Sequence, residues 1–306
     1  KYHFNFAQLV LNSEGGEEKT LKLIQLPSIF TPEEWSFTFY EGLARYPTSE
    51  FQGRMICELG CGNGWISIAL AARTLPQQII GLDINPKAIT CARLNLVLNA
   101  LDDSGAPLLD EEGKTLLQRV EFHTSDLLSY PIKNGIVLDR IIGCIPQVLS
   151  PEPMTASHFV SEEADDSFLY SLSNYCDKQG YIEDQFGLGL IARALEESIE
   201  ISKPSAKVIL NMGGRPGTAV LERLFLRRGF SIKKLWSTKV WQAQDTDIAP
   251  LVEIEKLTPH RFEFFTSLTS DEPICAHTAN VYLMAGGKIA HSLSVYEANM
   301  TLLPRV

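Results

Sequence analysis

The chain has 306 residues, 45% of them hydrophobic, which suits one large globular domain or one domain with additions. Its 27 Lys+Arg against 37 Asp+Glu leave a net charge of −10, which argues against a nucleic-acid binder driven by backbone charge. Six scattered cysteines, with no CxxC pair and no Cys/His cluster, argue against a metal module and for a reducing, cytoplasmic setting; no apolar run approaches the ~20 residues that span a membrane.

Residues 1 to 26 alternate weakly around Tyr2, Phe4, Phe6, Leu21 and Leu23, and predict two strands joined at Gly15-Gly16. Thr31-Pro32-Glu33-Glu34 then predicts a helix start, with Thr31 as N-cap, Pro32 at the first helical position and Glu34 closing a capping box. Five aromatics follow closely: Phe30, Trp35, Phe37, Phe39 and Tyr40. Two readings stay open for them, a packing helix or an aromatic wall against a cationic ligand.

Met55-Ile56-Cys57 is of strand type and Ile66 to Ala72 of helix type, and between them runs Glu58-Leu59-Gly60-Cys61-Gly62-Asn63-Gly64-Trp65. Alternate glycines let the backbone approach a ligand, and the helix start points free N–H groups at it. The spacing is GxGxG, unlike the GxGxxG of dinucleotide sites. The Glu58 carboxylate would repel a pyrophosphate but could bind an ammonium or a hydroxyl. The pattern therefore fits a nucleoside without phosphates, of which S-adenosylmethionine is the common one.

Ile79 to Asp83 predicts a second strand; Asp83 falls 19 residues after Gly64, about where doubly wound folds set an acid on ribose hydroxyls. Asn85-Pro86 starts a helix, residues 101 to 118 read as an acidic surface insertion, and Val120 to His123 as a third strand. Asp126 at its end either accepts from an adenine amino group or caps a helix. Leu138 to Gln147 is a fourth strand and its exit, where Pro146 fixes the backbone so that the Cys144 and Ile145 carbonyls can face a ligand. Residues 150–187 read as a long insertion carrying specificity. A helix from Leu188 to Ile199, the Lys203-Pro204 step, a fifth strand at Ala206 to Asn211 and a helix through Phe225 follow. Strands are expected through Trp236 and at Leu251 to Ile254, and the tail from His260 is mixed. The expected organisation is an N-terminal arm and aromatic segment (1–50), a catalytic domain (51–255) and a C-terminal extension (256–306).

Glu58-x-Gly60-x-Gly62-x-Gly64, Asp83, Asp126-Leu127 and the Lys203-Pro204 step together resemble the class I S-adenosylmethionine-dependent methyltransferases. The resemblance implies an α/β fold with a doubly wound, mostly parallel, Rossmann-like sheet. It implies S-adenosylmethionine as methyl donor, held by Glu58, Gly60, Gly62, Asn63, Gly64, Asp83, Ile84, Asn85, Asp126, Leu127 and Cys144. Where glutamine methyltransferases of this class carry Asn-Pro-Pro-Tyr, this chain has Cys144-Ile145-Pro146-Gln147, which disfavours a planar amide as acceptor.

Longer runs, among them Trp35 to Leu43, Gly143 to Gln147, Glu183 to Ala194 and Asn211 to Gly217, resemble the methionine S-methyltransferases over nearly the whole chain. That resemblance implies methyl transfer to the thioether of L-methionine with no acid–base residue. Tyr40, Cys144, Ile145 and Pro146 are expected to position the reactants, and Tyr40, Gln147, Glu183, Asp184, Asn211 and Arg215 to contact the substrate. Arg215, assisted by Asn211, is expected on the substrate carboxylate, and Glu183 or Asp184 on its ammonium. A cytoplasmic homo-oligomer without nucleic-acid, membrane or metal partners is expected. Plant members of that family carry a further aminotransferase-like domain, so the chain reads as a fragment or as a stand-alone bacterial form, the latter favoured. The alternative chemistry is N-methylation of a protein glutamine or a small amine.

Overall fold

The computed structural model describes residues 5–12, 18–27, 29–147, 176, 179–243 and 246–301. Most of the expected 150–187 insertion, and the Gly15-Gly16 turn, lie outside the described residues. Strand β1 (Asn5–Asn12) pairs antiparallel with β2 (Glu18–Gln25) as the alternation predicts. Helix α1 (Glu34–Ala44) starts later than expected. Its N-cap is Glu33, whose N–H donates to Ser36 Oγ at 3.1 Å, so the Ser36 contact displaces the expected Thr31–Glu34 box.

The doubly wound part follows: β3 (Met55–Leu59), α2 (Trp65–Thr74), β4 (Gln78–Asp83), α3 (Pro86–Ala100), α4 (Leu116–Arg119), β5 (Val120–Thr124), α5 (Ser129–Lys133) and β6 (Leu138–Gly143). After a 3-10 turn (Glu183–Phe186) come α6 (Gly189–Ile201), β7 (Ser202–Gly213), α7 (Thr218–Arg227), β8 (Phe230–Trp241), α8 (Ala249–Leu257), α9 (Ala276–Met284) and β9 (Ala290–Met300). The seven-stranded sheet has the order β5-β4-β3-β6-β7-β9-β8, with β9 antiparallel to both neighbours. The fold is thus α/β, doubly wound and mostly parallel, with one antiparallel strand inserted next to the edge.

Both faces of the central strands are covered, so these strands read as near-continuous apolar runs. Ile56, Ile79 and Ile142 pack with Phe39, Ile68 and Leu96 of α1, α2 and α3 on one face. Cys57, Ile80 and Ile141 pack with Ile191 and Leu195 of α6 and Leu224 of α7 on the other. The arm joins through side-chain amides of α3: the Ile24 N–H donates to Asn95 Oδ1 at 2.6 Å and the Lys22 N–H to Asn99 Oδ1 at 3.0 Å. The acidic insertion is anchored as well, because the buried Arg119 guanidinium holds Asp110 and Glu112 at 2.8 Å each and the Pro76 carbonyl at 2.7 Å.

Three stretches differ from the sequence reading. Leu251 to Ile254 is helical, inside α8 with Pro250 in the first turn; a four-residue apolar run fits strand and helix equally. Lys203-Pro204 lies within β7 rather than before it. The tail supplies β9, which lies inside the sheet between β7 and β8. Among the described residues no helix is long and apolar enough to cross a membrane.

Candidate active site

Strand β3 leads into a turn in which Gly60, Gly62 and Gly64 take φ of +68°, +54° and +81°. Side chains rarely adopt this left-handed region. Gly64 is also required by space, since a Cβ there would lie 2.7 Å from the Phe122 ring and 2.8 Å from Ala92. At Gly60 and Gly62 a Cβ would meet nothing nearer than 3.9 Å, so there the turn offers bare backbone.

Asp83, at the end of β4, fastens that turn. Its Oδ2 accepts from the Gly62 N–H and its Oδ1 from the Asn85 N–H, each at 2.9 Å. Burial pushes its carboxyl above the usual range. Asn85 caps α3 by accepting from the Lys87 N–H at 2.9 Å, and Ile84 packs against the core. Glu58 is buried and accepts from the Ser67 hydroxyl of α2; burial pushes its carboxyl up to about 8, so it is mostly protonated at pH 7. Asn63 is turned inward. Its Nδ2 donates to Gln25 Oε1 at 3.0 Å, which ties the glycine turn to β2.

The loop after β5 is equally fixed. Asp126 pairs with Arg193 of α6 at 2.6 Å, and Arg193 also holds Glu197 at 2.7 Å. Leu127 takes φ +42°, and its carbonyl accepts from Ser125 Oγ at 2.9 Å. Helix α5 is capped at Leu128, so Asp126 is not the cap that one reading offered.

The ends of β6 and β7 form the other half. Cys144 follows β6, its Sγ accepting from Asn211 Nδ2 at 3.5 Å, and burial pushes its thiol up to about 12. The Ile145 side chain is in the core. Gln147 pairs with the backbone of Gly213, its Oε1 accepting from the N–H and its Nε2 donating to the carbonyl at 3.2 Å. Asn211 Nδ2 also donates to the Trp35 carbonyl at 2.9 Å. That contact fixes the amide orientation and leaves Asn211 Oδ1 as a buried acceptor without a protein partner. The Trp35 ring lies over the same strand end, where a Cβ at Gly213 would be 2.7 Å from it.

Beyond Gly213, β7 and β9 close tightly. The Gly214 N–H donates to the Ser292 carbonyl at 2.7 Å, and a Cβ at Gly214 would come within 1.9 Å of Ser292 Oγ. Gly213 is paired with Leu293, and Arg215, in the turn that follows, lies near enough to His291 for its charge to act on that ring. Among the described residues the Arg215 guanidinium has no hydrogen-bond or ion-pair partner, and burial pushes its pKa down to about 10. His291 is 2% exposed, and among the described residues neither ring nitrogen has a hydrogen-bond partner. Burial, and then the Arg215 cation, push its pKa down to about 3. Its ring is 5.6 Å from that of Trp35.

Asn211, Gln147 and Cys144 are therefore brought together at the ends of β6 and β7, Trp35 is the aromatic that reaches them, and Arg215 follows in the next turn near His291. Tyr40 packs between α1 and α2, 5.3 Å from the Trp65 ring. Glu183 is an internal ion pair against the end of α7, with Arg227 at 2.5 Å and Arg228 at 3.6 Å. Asp184 is buried beside it, with contacts of its own. His291 was missed by sequence reasoning: a single histidine in an apolar tail strand carries no local signal.

A family model described as a methyltransferase domain matches residues 50–106, which take in the glycine turn, α2, β4 and α3. More particularly, the chain is similar to Methionine S-methyltransferase of Hordeum vulgare, 59% identical over 302 residues, 98% of this chain and 28% of that protein. The protein of the same name from Arabidopsis thaliana is 57% identical, again over 98% of this chain and 28% of its own length. A protein of Methanocaldococcus jannaschii, named as a candidate protein N5-glutamine methyltransferase, is 26% identical over 55% of this chain and 76% of its own length. The chain thus spans a little over a quarter, 28%, of the length of the methionine S-methyltransferases it matches.

Proposed function

We propose that the chain transfers the methyl group of S-adenosyl-L-methionine to the thioether sulfur of L-methionine, giving S-methyl-L-methionine and S-adenosyl-L-homocysteine. Similarity to the methionine S-methyltransferases supports the choice of acceptor. The observation that carries it is a half-buried Arg215 guanidinium without a partner among the described residues, in the turn that follows the strand bearing the buried, unpartnered acceptor Asn211 Oδ1. A cation for a carboxylate, an acceptor for an ammonium and an aromatic wall for a thioether match the three parts of methionine.

The expected assignments shift accordingly. Asn211 takes the ammonium rather than assisting at the carboxylate, because its NH2 group is already committed to Trp35. Glu183 is neutralised by two guanidiniums and leaves that role to Asn211. On the donor side, the bare backbone at Gly60 and Gly62 and the Asp83 carboxylate would hold the nucleoside. The donor supplies a methyl group on a sulfonium, and Trp35 offers a π face to the sulfonium product.

A thioether attacks with a lone pair and has no proton to lose, so no general base is needed. The site fits that requirement: burial keeps the Cys144 thiol protonated and Glu58 mostly so. Catalysis then rests on holding the two sulfurs and the methyl carbon in line. Incubation with methyl-labelled S-adenosylmethionine and L-methionine should give labelled S-methylmethionine. Label on protein glutamine or on amines, with none on methionine, would overturn the reading.

A further inference from the structure

We propose that Arg193 and Glu197 of α6 are positioning residues for the adenine end of the methyl donor. Together they clamp the loop after β5, so that Asp126 and Leu127 offer the base one fixed acceptor and one fixed donor. This deepens, and rests on, the S-adenosylmethionine reading above.

The loop is held from both sides. Towards β4, the Ser125 N–H donates to the Asp83 carbonyl at 2.9 Å, which sets the loop beside the proposed ribose carboxylate. Towards α6, Arg193 donates to Asp126 Oδ2 at 2.6 Å with one nitrogen and to Glu197 Oε1 at 2.7 Å with another. Glu197 Oε2 in turn accepts from the Leu128 N–H at 2.9 Å. One turn of α6 thus grips the residues on either side of Leu127. Without the guanidinium between them, the Asp126 and Glu197 carboxylates would repel each other. A planar fork suits that place better than the point charge of a lysine.

Leu127 gives the grip a purpose. Its φ of +42° lies in a region that side chains avoid. Among the described residues the other non-glycine there is Leu75, which closes the end of α2, an ordinary place for that conformation. Leu127 ends no helix. Strain of this kind persists only where the surroundings impose it, and it gathers at ligand sites. Among the described residues, Asp126 Oδ1 and the Leu127 N–H have no hydrogen-bond partner. They are an acceptor and a donor on neighbouring residues, the complement of the amino group and adjacent ring nitrogen on the edge of adenine.

The test reads base discrimination by calorimetry with S-adenosylhomocysteine and S-inosylhomocysteine. The inosyl base presents an oxygen and an N–H where adenine has an amino group and a bare nitrogen, so both contacts are reversed. Wild type should favour the adenosyl compound. Arg193→Gln should weaken S-adenosylhomocysteine binding about tenfold, the scale of one hydrogen bond to a charged group, and narrow that preference. Arg193→Lys should recover part of both, and it decides the matter if Arg193→Gln does not fold. KM for L-methionine at saturating donor should change less than about twofold. Asp126→Ala should lose the same preference, and adding Arg193→Gln to it should cost little more, because the two act as one unit. Unchanged binding and preference in the Arg193 variants, a lowered Tm with the preference intact, or full additivity with Asp126→Ala would overturn the assignment. Absence of S-adenosylhomocysteine binding by the wild-type protein would instead overturn the donor reading on which it rests.

Discussion

The two halves of the site differ in what their polar groups already hold. On the donor side the described side chains are largely committed inside the protein: Asp83 to Gly62 and Asn85, Glu58 to Ser67, Asn63 to Gln25, Asp126 to Arg193. They build a rigid backbone cradle. On the proposed acceptor side, the half-buried Arg215 and the buried Asn211 Oδ1 and His291 nitrogens have no partners among the described residues. The first half is pre-organised, which lowers the entropy lost on binding. Under the proposed function a charged ligand would pair the polar groups of the second half, and the wrong ligand would leave them unpaired.

Breaking the acceptor side should have the largest effect. Arg215→Ala removes the only cation proposed for the carboxylate and should raise the methionine KM about a hundredfold, the scale of a lost charge-assisted pair. Binding of S-adenosylmethionine, followed by calorimetry, should change less than about twofold, well below one 1.4 kcal/mol decade. A parallel loss of both ligands would contradict the separation of the two halves.

Gly64→Ala attacks the cradle instead. The added methyl would meet Phe122 and Ala92 at 2.7 and 2.8 Å, in a backbone conformation that L residues avoid. Overpacking and strain together predict about 2–4 kcal/mol of destabilisation, read from chemical denaturation, with donor affinity lost as well. A smaller effect is expected for Asp83→Asn, which weakens the fastening of Gly62 and the proposed ribose contact. Donor affinity should fall about tenfold with methionine KM little changed, the size of one or two hydrogen bonds to a charged group.

The smallest effects are in the pH dependence of the ligand-free protein, and the two halves should tilt it in opposite directions. Glu58 titrates near about 8 when folded against an ordinary 4.5, so the folded state holds its proton more tightly. Its stabilising contribution is full below pH 4.5 and is lost as pH rises towards 8. His291 is depressed from 6.5 to about 3, so its contribution is full above 6.5 and is lost as pH falls towards 3. Melting curves of Glu58→Gln should therefore lose less Tm than wild type between pH 5 and 8, and those of His291→Phe less between pH 6 and 4. Identical slopes in variant and wild type would show that these groups do not titrate as the burial implies.

The strand, glycine turn and helix of the proposed donor half were largely legible in the sequence because their determinants are local. Strand, glycine turn and helix are consecutive, and Asp83 follows at a spacing set by one βαβ unit. What could not be read locally was which side chains face the ligand: Glu58 and Asn63 are drawn inward by Ser67 and Gln25, partners that only tertiary packing brings near. In the proposed acceptor half, the place of Arg215 and Asn211 at a strand end was legible because that strand is recognisable. His291 was not, since it reaches the site through an antiparallel strand that arrives some 80 positions later and inserts between β7 and β8. The ion pairs of Glu183 were not legible, because its partners Arg227 and Arg228 follow more than 40 residues on, across α6 and β7.

The central claim, that the buried unpaired groups at the β7–β9 end read an amino-acid thioether, is tested most directly by acceptor competition. Turnover of L-methionine should be compared with that of 3-(methylthio)propylamine, which lacks the carboxylate, and 4-(methylthio)butanoate, which lacks the amino group. The account predicts that each truncated thioether falls in kcat/KM by about a hundredfold or more, because each leaves buried polar groups unpaired. Equal turnover of all three would contradict it.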